Sequence, residues 1–243
     1  MRRRLLFTGG AGVLGVAVLS ACSSSKQSPA PAAEKPAETP VAAASGAVAG
    51  DWRRVQMSYV SAYILVRGKE AAIVDLGTPG SEMAIEAGLE GAGVGWEAVK
   101  HVVLTHLHDD HVGGLGEVAP HVKGSIYAGV GDLSSIISDT PLKPVSEGDE
   151  IFGMRIIETP GHTLGHISVF EPVTGILVAG DALRTTGGLA GSDPQYTTDE
   201  NKAAASVRKL AGLDVKAILP GHGEPLTAGA AKALKDLAAG MPS

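Results

Sequence analysis

One cysteine, Cys22, stands in a chain of 243 residues. That excludes an intramolecular disulfide and any metal site built on several thiolates. Aromatic side chains are only 4% of the residues, and beyond residues 2–4 no Lys/Arg cluster interrupts a formal net charge of −6. A protein that tracks a nucleic-acid backbone needs the opposite sign, so no nucleic-acid partner is expected. Long hydrophobic runs are missing too: Leu5 to Leu19 gives about 15 apolar-rich residues where a spanning helix needs roughly 20. What remains, 44% hydrophobic and 19% charged, is the composition of a globular protein with length for one sizeable core.

The N-terminus carries Arg2, Arg3 and Arg4, then the short apolar stretch, then "LSAC". This is the order of a cleaved export signal. "LSAC" resembles the lipobox of bacterial lipoproteins, which implies cleavage before Cys22 and lipidation of it. Residues 1–21 are thus expected to be a lipoprotein signal peptide, with Sec and twin-arginine export both open. The implied location is the periplasmic or extracellular face of the bacterial cell membrane, held by lipid on Cys22. Residues 22–50 are rich in Pro, Ala and Ser without apolar periodicity and read as a disordered tether. Loss of the three leading arginines would leave the mature chain near −9.

Residues 51–243 alternate strand and helix patterns and form the expected catalytic domain. "VQMSYVSAYILV" and "AAIVDLG" read as strands joined at Gly68-Lys69, and Ser81 to Leu89 as a helix capped by Ser81. "HVVLTH", "SIYAG", "EIFGMRIIET", "HISVFEP", "GILVAGD" and "VKAIL" read as further strands, with helices near His111, over Thr198 to Leu210 and over Ala228 to Ala239. Four apolar runs end in loops rich in metal-ligand types: "HVVLTHLHDDH", "RIIETPGH", "GILVAGD" and "KAILPGH". Strand ends sharing one edge would bring these loops together.

Within the first of them, alternation along an extended chain puts His106 and His108 on one side and Leu107 on the other. Asp110 and His111 fall past the turn, where they could face a second ion, and Asp109 is left to solvent. Imidazole and carboxylate are ligand types that zinc, iron or manganese accept.

"THLHDDH", "TPGHTLGH", "AGD" and "PGHG", in that order, resemble the metallo-β-lactamase superfamily, whose pattern is H-x-H-x-D-H followed by single His, Asp and His ligands. "AAIVDLG" is similar to an early strand of the family that ends at Asp75. The resemblance spans roughly residues 55 to 226. It implies an α/β fold of the αββα type, two β-sheets flanked by helices, with a two-metal site at the edge between the sheets. It further implies that His106, His108 and His162 bind one ion, that Asp110, His111 and His222 bind the other, and that Asp181 bridges them. Two divalent ions are implied, zinc foremost, with iron or manganese also compatible. Such a pair, about 3.5 to 4 Å apart, shares a hydroxide and polarises the substrate oxygen. Asp110 and Asp181 would therefore belong to the reaction centre, and Asp75 would orient a ligand or loop.

Other polar residues are assigned from position alone. His166 is read as structural, with contact to the site as the alternative. Arg184 and Tyr196 lie in "ALRTTGGLAGSDPQYT"; Tyr196 is the candidate to protonate a leaving group. His101 and His121 have no motif around them. The domain lacks the thiolate of the cysteine-ligand β-lactamases and has the bridging aspartate that the histidine-ligand ones lack. The expected activity is metal-dependent hydrolysis of a small ester, lactone or thioester, by a metal-bridging hydroxide. A β-lactamase of the histidine-ligand type and a non-catalytic surface metal-binding lipoprotein are the alternatives. Only 21 residues follow His222, short for the glutathione-binding region of glyoxalase II.

Overall fold

The computed structural model describes residues 45–241. The stretch read as a signal peptide, Cys22 and most of the stretch read as a tether lie outside the described residues. Among the described residues, no helix is long and apolar enough to cross a membrane.

The chain opens with β1 (Gly46–Ala49), β2 (Trp52–Met57), β3 (Val60–Arg67) and β4 (Glu70–Val74). Helix α1 (Glu82–Gly91) leads to β5 (Val99–Leu104), the short helices α2 (Asp109–Val112) and α3 (Leu115–Val118), β6 (Ser125–Gly129) and β7 (Leu142–Val145). These strands form one seven-stranded sheet in the order β1 to β7. Next come β8 (Glu150–Ile151), β9 (Met154–Glu158), β10 (Ile167–Glu171), β11 (Ile176–Gly180), the small pair β12 (Leu183–Arg184) and β13 (Ala190–Gly191), α4 (Glu200–Ala211), β14 (Ala217–Pro220) and α5 (Ala230–Ala239). The second sheet has the order β14-β11-β10-β9-β8.

Side-chain alternation makes layers of these sheets. Along β3, Ile64 joins a core with Val55, Ile73 and Val102 against Ile85 and Leu89 of α1. Its neighbours Tyr63 and Leu65 face the other way, into a second core with Ile156, Val169 and Leu219 of the opposite sheet. A third core sets Leu177 and Ile218 against Val207 and Leu210 of α4 and Leu234 of α5. Helix, sheet, sheet, helix is the αββα sandwich expected from the sequence.

The differences are local. Gly46–Ala49, inside the stretch read as tether, pairs with β2 instead, so the ordered domain starts before residue 51. "VQMSYVSAYILV" is two antiparallel strands, broken at Ser58, whose φ of 55° is left-handed. "EIFGMRIIET" is a hairpin turning through Phe152 and Gly153, both at positive φ, as a two-residue turn requires. β7, "LKPV", is a strand that the apolar patterns of the sequence leave out. Ser81 sits at the start of α1, but its side chain makes no capping hydrogen bond.

Candidate metal centre

Parallel pairing puts the C-terminal ends of β4 and β5 at one edge of the first sheet. In the second sheet β11 and β14 run parallel. β9 shares their direction, because β10 is antiparallel to both β9 and β11. The loops after these five strands carry Asp75, His106 to His111, His162, Asp181 and His222. Ile167 N donates to Thr105 O at 2.8 Å, tying the two sheets together at this edge.

Two groups of side chains converge there. His106 Nε2 lies 3.0 Å from His108 Nδ1, and His162 Nε2 lies 2.9 Å from the same atom. In the second group His222 Nε2 is 3.3 Å from Asp110 Oδ2 and 3.5 Å from His111 Nε2. Asp181 stands between them: Oδ2 is 3.5 Å from His162 Nε2 and 3.2 Å from His222 Nε2, while Oδ1 is 3.2 Å from His111 Nε2. Ligands at tetrahedral corners about 2.0–2.1 Å from a zinc ion stand roughly 3.3 Å apart, so these spacings fit. Asp181 Oδ1 is buried and makes no hydrogen bond, although His111 Nε2 lies 3.2 Å away. An unsatisfied buried carboxylate oxygen is costly unless a cation completes it.

The outward nitrogens are engaged, and this turns the inward ones toward the centre. His111 Nδ1 pairs with Asp75 Oδ2 at 2.8 Å. Thr105 Oγ1 donates to Asp75 Oδ2, which leaves it to accept from His106 Nδ1 at 3.0 Å. His222 Nδ1 donates to the Tyr59 carbonyl at 2.9 Å, and His162 Nδ1 lies 2.8 Å from Ser192 Oγ. Each contact engages Nδ1 on the outside and leaves Nε2 as the nitrogen turned toward the centre, the arrangement of metal-binding histidines.

Backbone placement supports this. Tyr63 Oη donates to Pro220 O, Ser61 N to Gly221 O, and Arg54 Nη2 to Gly223 O, so β2 and β3 hold the loop that presents His222. A Cβ at Gly221 would overlap Asp181 Oδ1 and come within 2.6 Å of His111 Cε1.

Charge is distributed unevenly. Burial pulls His222 down, but Asp110 and Asp181 overcome it and raise its pKa to about 10. His111 is likewise buried, and the Asp181 and Asp75 carboxylates hold it well above its ordinary value. Burial pushes His106 well down, His162 to about 4 and His166 to about 3. Asp181 is buried too, yet the His111 charge keeps its carboxyl well below the usual range.

A cavity of about 490 Å³ opens over the cluster, lined among others by Tyr59, Asp110, Asp181, Arg184, Tyr196 and His222. Tyr196 is exposed on its wall, and Arg184 stands 3.9 Å from Asp193. Asp109 is exposed and outside the cluster. His101 packs on Tyr127 and Phe152, and His121 pairs with Glu82 on the surface. Sequence reasoning missed Asp132. Its buried carboxylate accepts from Leu107 N, Thr163 Oγ1 and Gly165 N, joining the His106–His108 loop to the loop after His162. A lone aspartate in "VGDL" carries no signal for that. It also missed Tyr59, whose ring stacks on His222 with centroids 5.9 Å apart.

A family model described as Metallo-beta-lactamase superfamily matches residues 56–222. The chain is 29% identical over 201 residues to the probable metallo-hydrolase YflN of Bacillus subtilis, covering 64% of this chain and 76% of that one. It is 33% identical over 137 residues to a hydroxyacylglutathione hydrolase of Dechloromonas aromatica, covering 53% of this chain and 48% of the relative. The fold is similar to that of a metallo-beta-lactamase family protein from Thermus thermophilus, with a TM-score of 0.61 and 24% identity over 76% of this chain and 77% of that one. With the fold and a match across the whole ligand-bearing stretch, the chain belongs to the metallo-β-lactamase superfamily.

Proposed function

We propose that the protein is a dinuclear metal-dependent hydrolase of small esters, lactones or thioesters. The observation that carries this reading is the orientation of four histidines, each with Nδ1 engaged outside and Nε2 turned inward, around the donor-free oxygen of Asp181. His106, His108 and His162 would hold one divalent ion; Asp110, His111 and His222 would hold the other; Asp181 would touch both. Zinc suits this donor set, as do iron and manganese. When bound, the ions supply Lewis acidity and an activated water.

The chain's own side chains do the rest. Asp75 and Thr105 keep His111 and His106 in the tautomer that ligates. The His222 carrier loop is fixed from β2 and β3, so the centre need not reorganise when substrate enters. Tyr59 and Tyr196 stand on the walls of the 490 Å³ cavity, a size suited to a small molecule. Tyr196, on that wall, would give a proton to a leaving oxygen or sulfur. The likeness to a hydroxyacylglutathione hydrolase supports acyl substrates, and the acidic balance of the chain disfavours polyanions. We further propose that the protein is exported and held at the membrane by lipid on Cys22.

The test is a panel of esters, lactones, thioesters, β-lactams and phosphodiesters given to protein loaded separately with zinc, iron and manganese. Acyl substrates should lead by at least about tenfold in kcat/KM, or about 1.4 kcal/mol in transition-state stabilisation. A β-lactam cleaved faster than every ester and lactone would overturn this substrate assignment.

A further inference from the structure

His166 is buried at 1% exposure directly behind the cluster, its ring centroid 5.1 Å from that of His106. Among the described residues, its ring makes no hydrogen bond to a ligand side chain. Instead Asp181 N donates to His166 Nε2 at 2.9 Å. A backbone amide can only donate, so Nε2 is the bare nitrogen and Nδ1 carries the proton. That proton has one destination, Thr159 Oγ1 at 2.8 Å. Thr159 Oγ1 lies 3.0 Å from Ser168 Oγ, and Ser168 Oγ donates to Ala179 O at 3.0 Å. The directions close without conflict: amide to imidazole, imidazole to Thr159, Thr159 to Ser168, Ser168 to the carbonyl two residues before the starting amide. Three side chains at the end of the β9–β10 hairpin therefore grip the backbone on both sides of Gly180.

Gly180 needs that grip. It has φ +52°, and a Cβ there would lie 2.7 Å from His166 Nε2 and 2.9 Å from Thr105. The left-handed turn it makes is what swings Asp181 off the end of β11 and between the two groups of ligands. We propose that His166, held in one tautomer by Thr159, is a positioning residue that sets where the Asp181 carboxylate sits and so whether two ions can share it.

This inference rests on the dinuclear reading above, and its test keeps the two apart. Zinc affinity and stoichiometry are measured by competition with a chromophoric chelator, the cobalt-loaded spectrum is recorded, and the thermal midpoint of the metal-free protein is taken for each variant. Wild type should bind two ions per chain; saturation at one would overturn the dinuclear reading and this inference with it, before any variant is considered. His166→Leu should weaken the looser of the two ions by about tenfold or more and change the cobalt spectrum, the scale on which support of a ligand matters. His166→Gln, which offers an acceptor and a donor at similar spacing, should stay within about threefold of wild type.

Thr159→Val decides the case if His166→Leu does not fold. It keeps shape and touches no ligand, yet frees His166 to protonate Nε2 and turn it against the Asp181 amide, so it should shift ion affinity in the same direction, with Thr159→Ser restoring it. If His166→Leu or Thr159→Val lowers the thermal midpoint while both ion affinities and the cobalt spectrum match wild type, His166 only packs and the proposal is overturned.

Discussion

Asp75 Oδ2 accepts from His111 Nδ1 at 2.8 Å while the same carboxylate accepts from both the amide and the hydroxyl of Thr105. One buried side chain thus orders two histidines on the β5 edge. Asp75 itself has φ 63°, a left-handed conformation that Asp and Asn tolerate better than other branched or bulky residues. Asp75→Asn should therefore fold. Its amide nitrogen, however, would face His111 Nδ1, forcing that proton to Nε2, the atom turned toward Asp110 and Asp181. Zinc affinity should fall by about 10- to 100-fold, read by chelator competition. An unchanged affinity would show that His111 does not depend on this bond.

Asp132 gives a stability prediction independent of any ion. Asp132→Asn replaces one acceptor with a donor among Leu107 N, Thr163 Oγ1 and Gly165 N. Leaving such a group unsatisfied costs about 1–3 kcal/mol. Thermal unfolding of the metal-free protein should shift down by about 3–10 °C. No shift would mean that the two histidine loops are held by other contacts.

Acidity should show in the metal-free protein as a two-sided profile. His162 and His166 have folded pKa values of about 4 and 3 against an ordinary 6.5. Their contribution is present above about pH 6.5 and is lost as pH falls toward those values, because the unfolded chain binds the protons first. His222, raised to about 10, works in reverse: its contribution is present below 6.5 and is lost as pH rises through 10. The thermal midpoint in chelator should decline on both sides of near-neutral pH. Metal loading should flatten the alkaline side, since the ion replaces the His222 proton. A metal-free midpoint independent of pH from 4 to 10 would contradict this.

Much of the architecture was legible because burial leaves a mark on composition. β4, β5, β10 and β11 are apolar runs ending at turn or ligand residues, so each run marks a strand, while burial on both sides leaves the face of each side chain unmarked in the sequence. Ser58 concealed the break between β2 and β3, since a left-handed turn made by serine lacks the glycine that signals one. "GAVA" reads as linker because its strand is defined by pairing with β2, not by its own side chains. Side chains in the ligand positions could be named from spacing and family resemblance, and the structure brings them into one cluster. Asp132 and the bond from the Asp181 amide to His166 could not be, because their partners are backbone groups that any sequence supplies.

Anchoring at the membrane is expected to depend on Cys22. Cys22→Ala should abolish lipid labelling in cells and release or mislocalise the protein, followed by fractionation. Equal membrane retention of the variant would show that lipid on this residue is not the anchor.

In the proposed centre, Asp181 joins two ions. The most direct measurement is the number of divalent ions bound per chain, by elemental analysis after dialysis, in wild type and Asp181→Asn side by side. Wild type should hold close to two, and the variant should lose ions from both groups, because the charge of the shared carboxylate is gone while its shape remains. A wild type that saturates at one ion, or an Asp181→Asn protein that holds two as tightly as wild type, would contradict it.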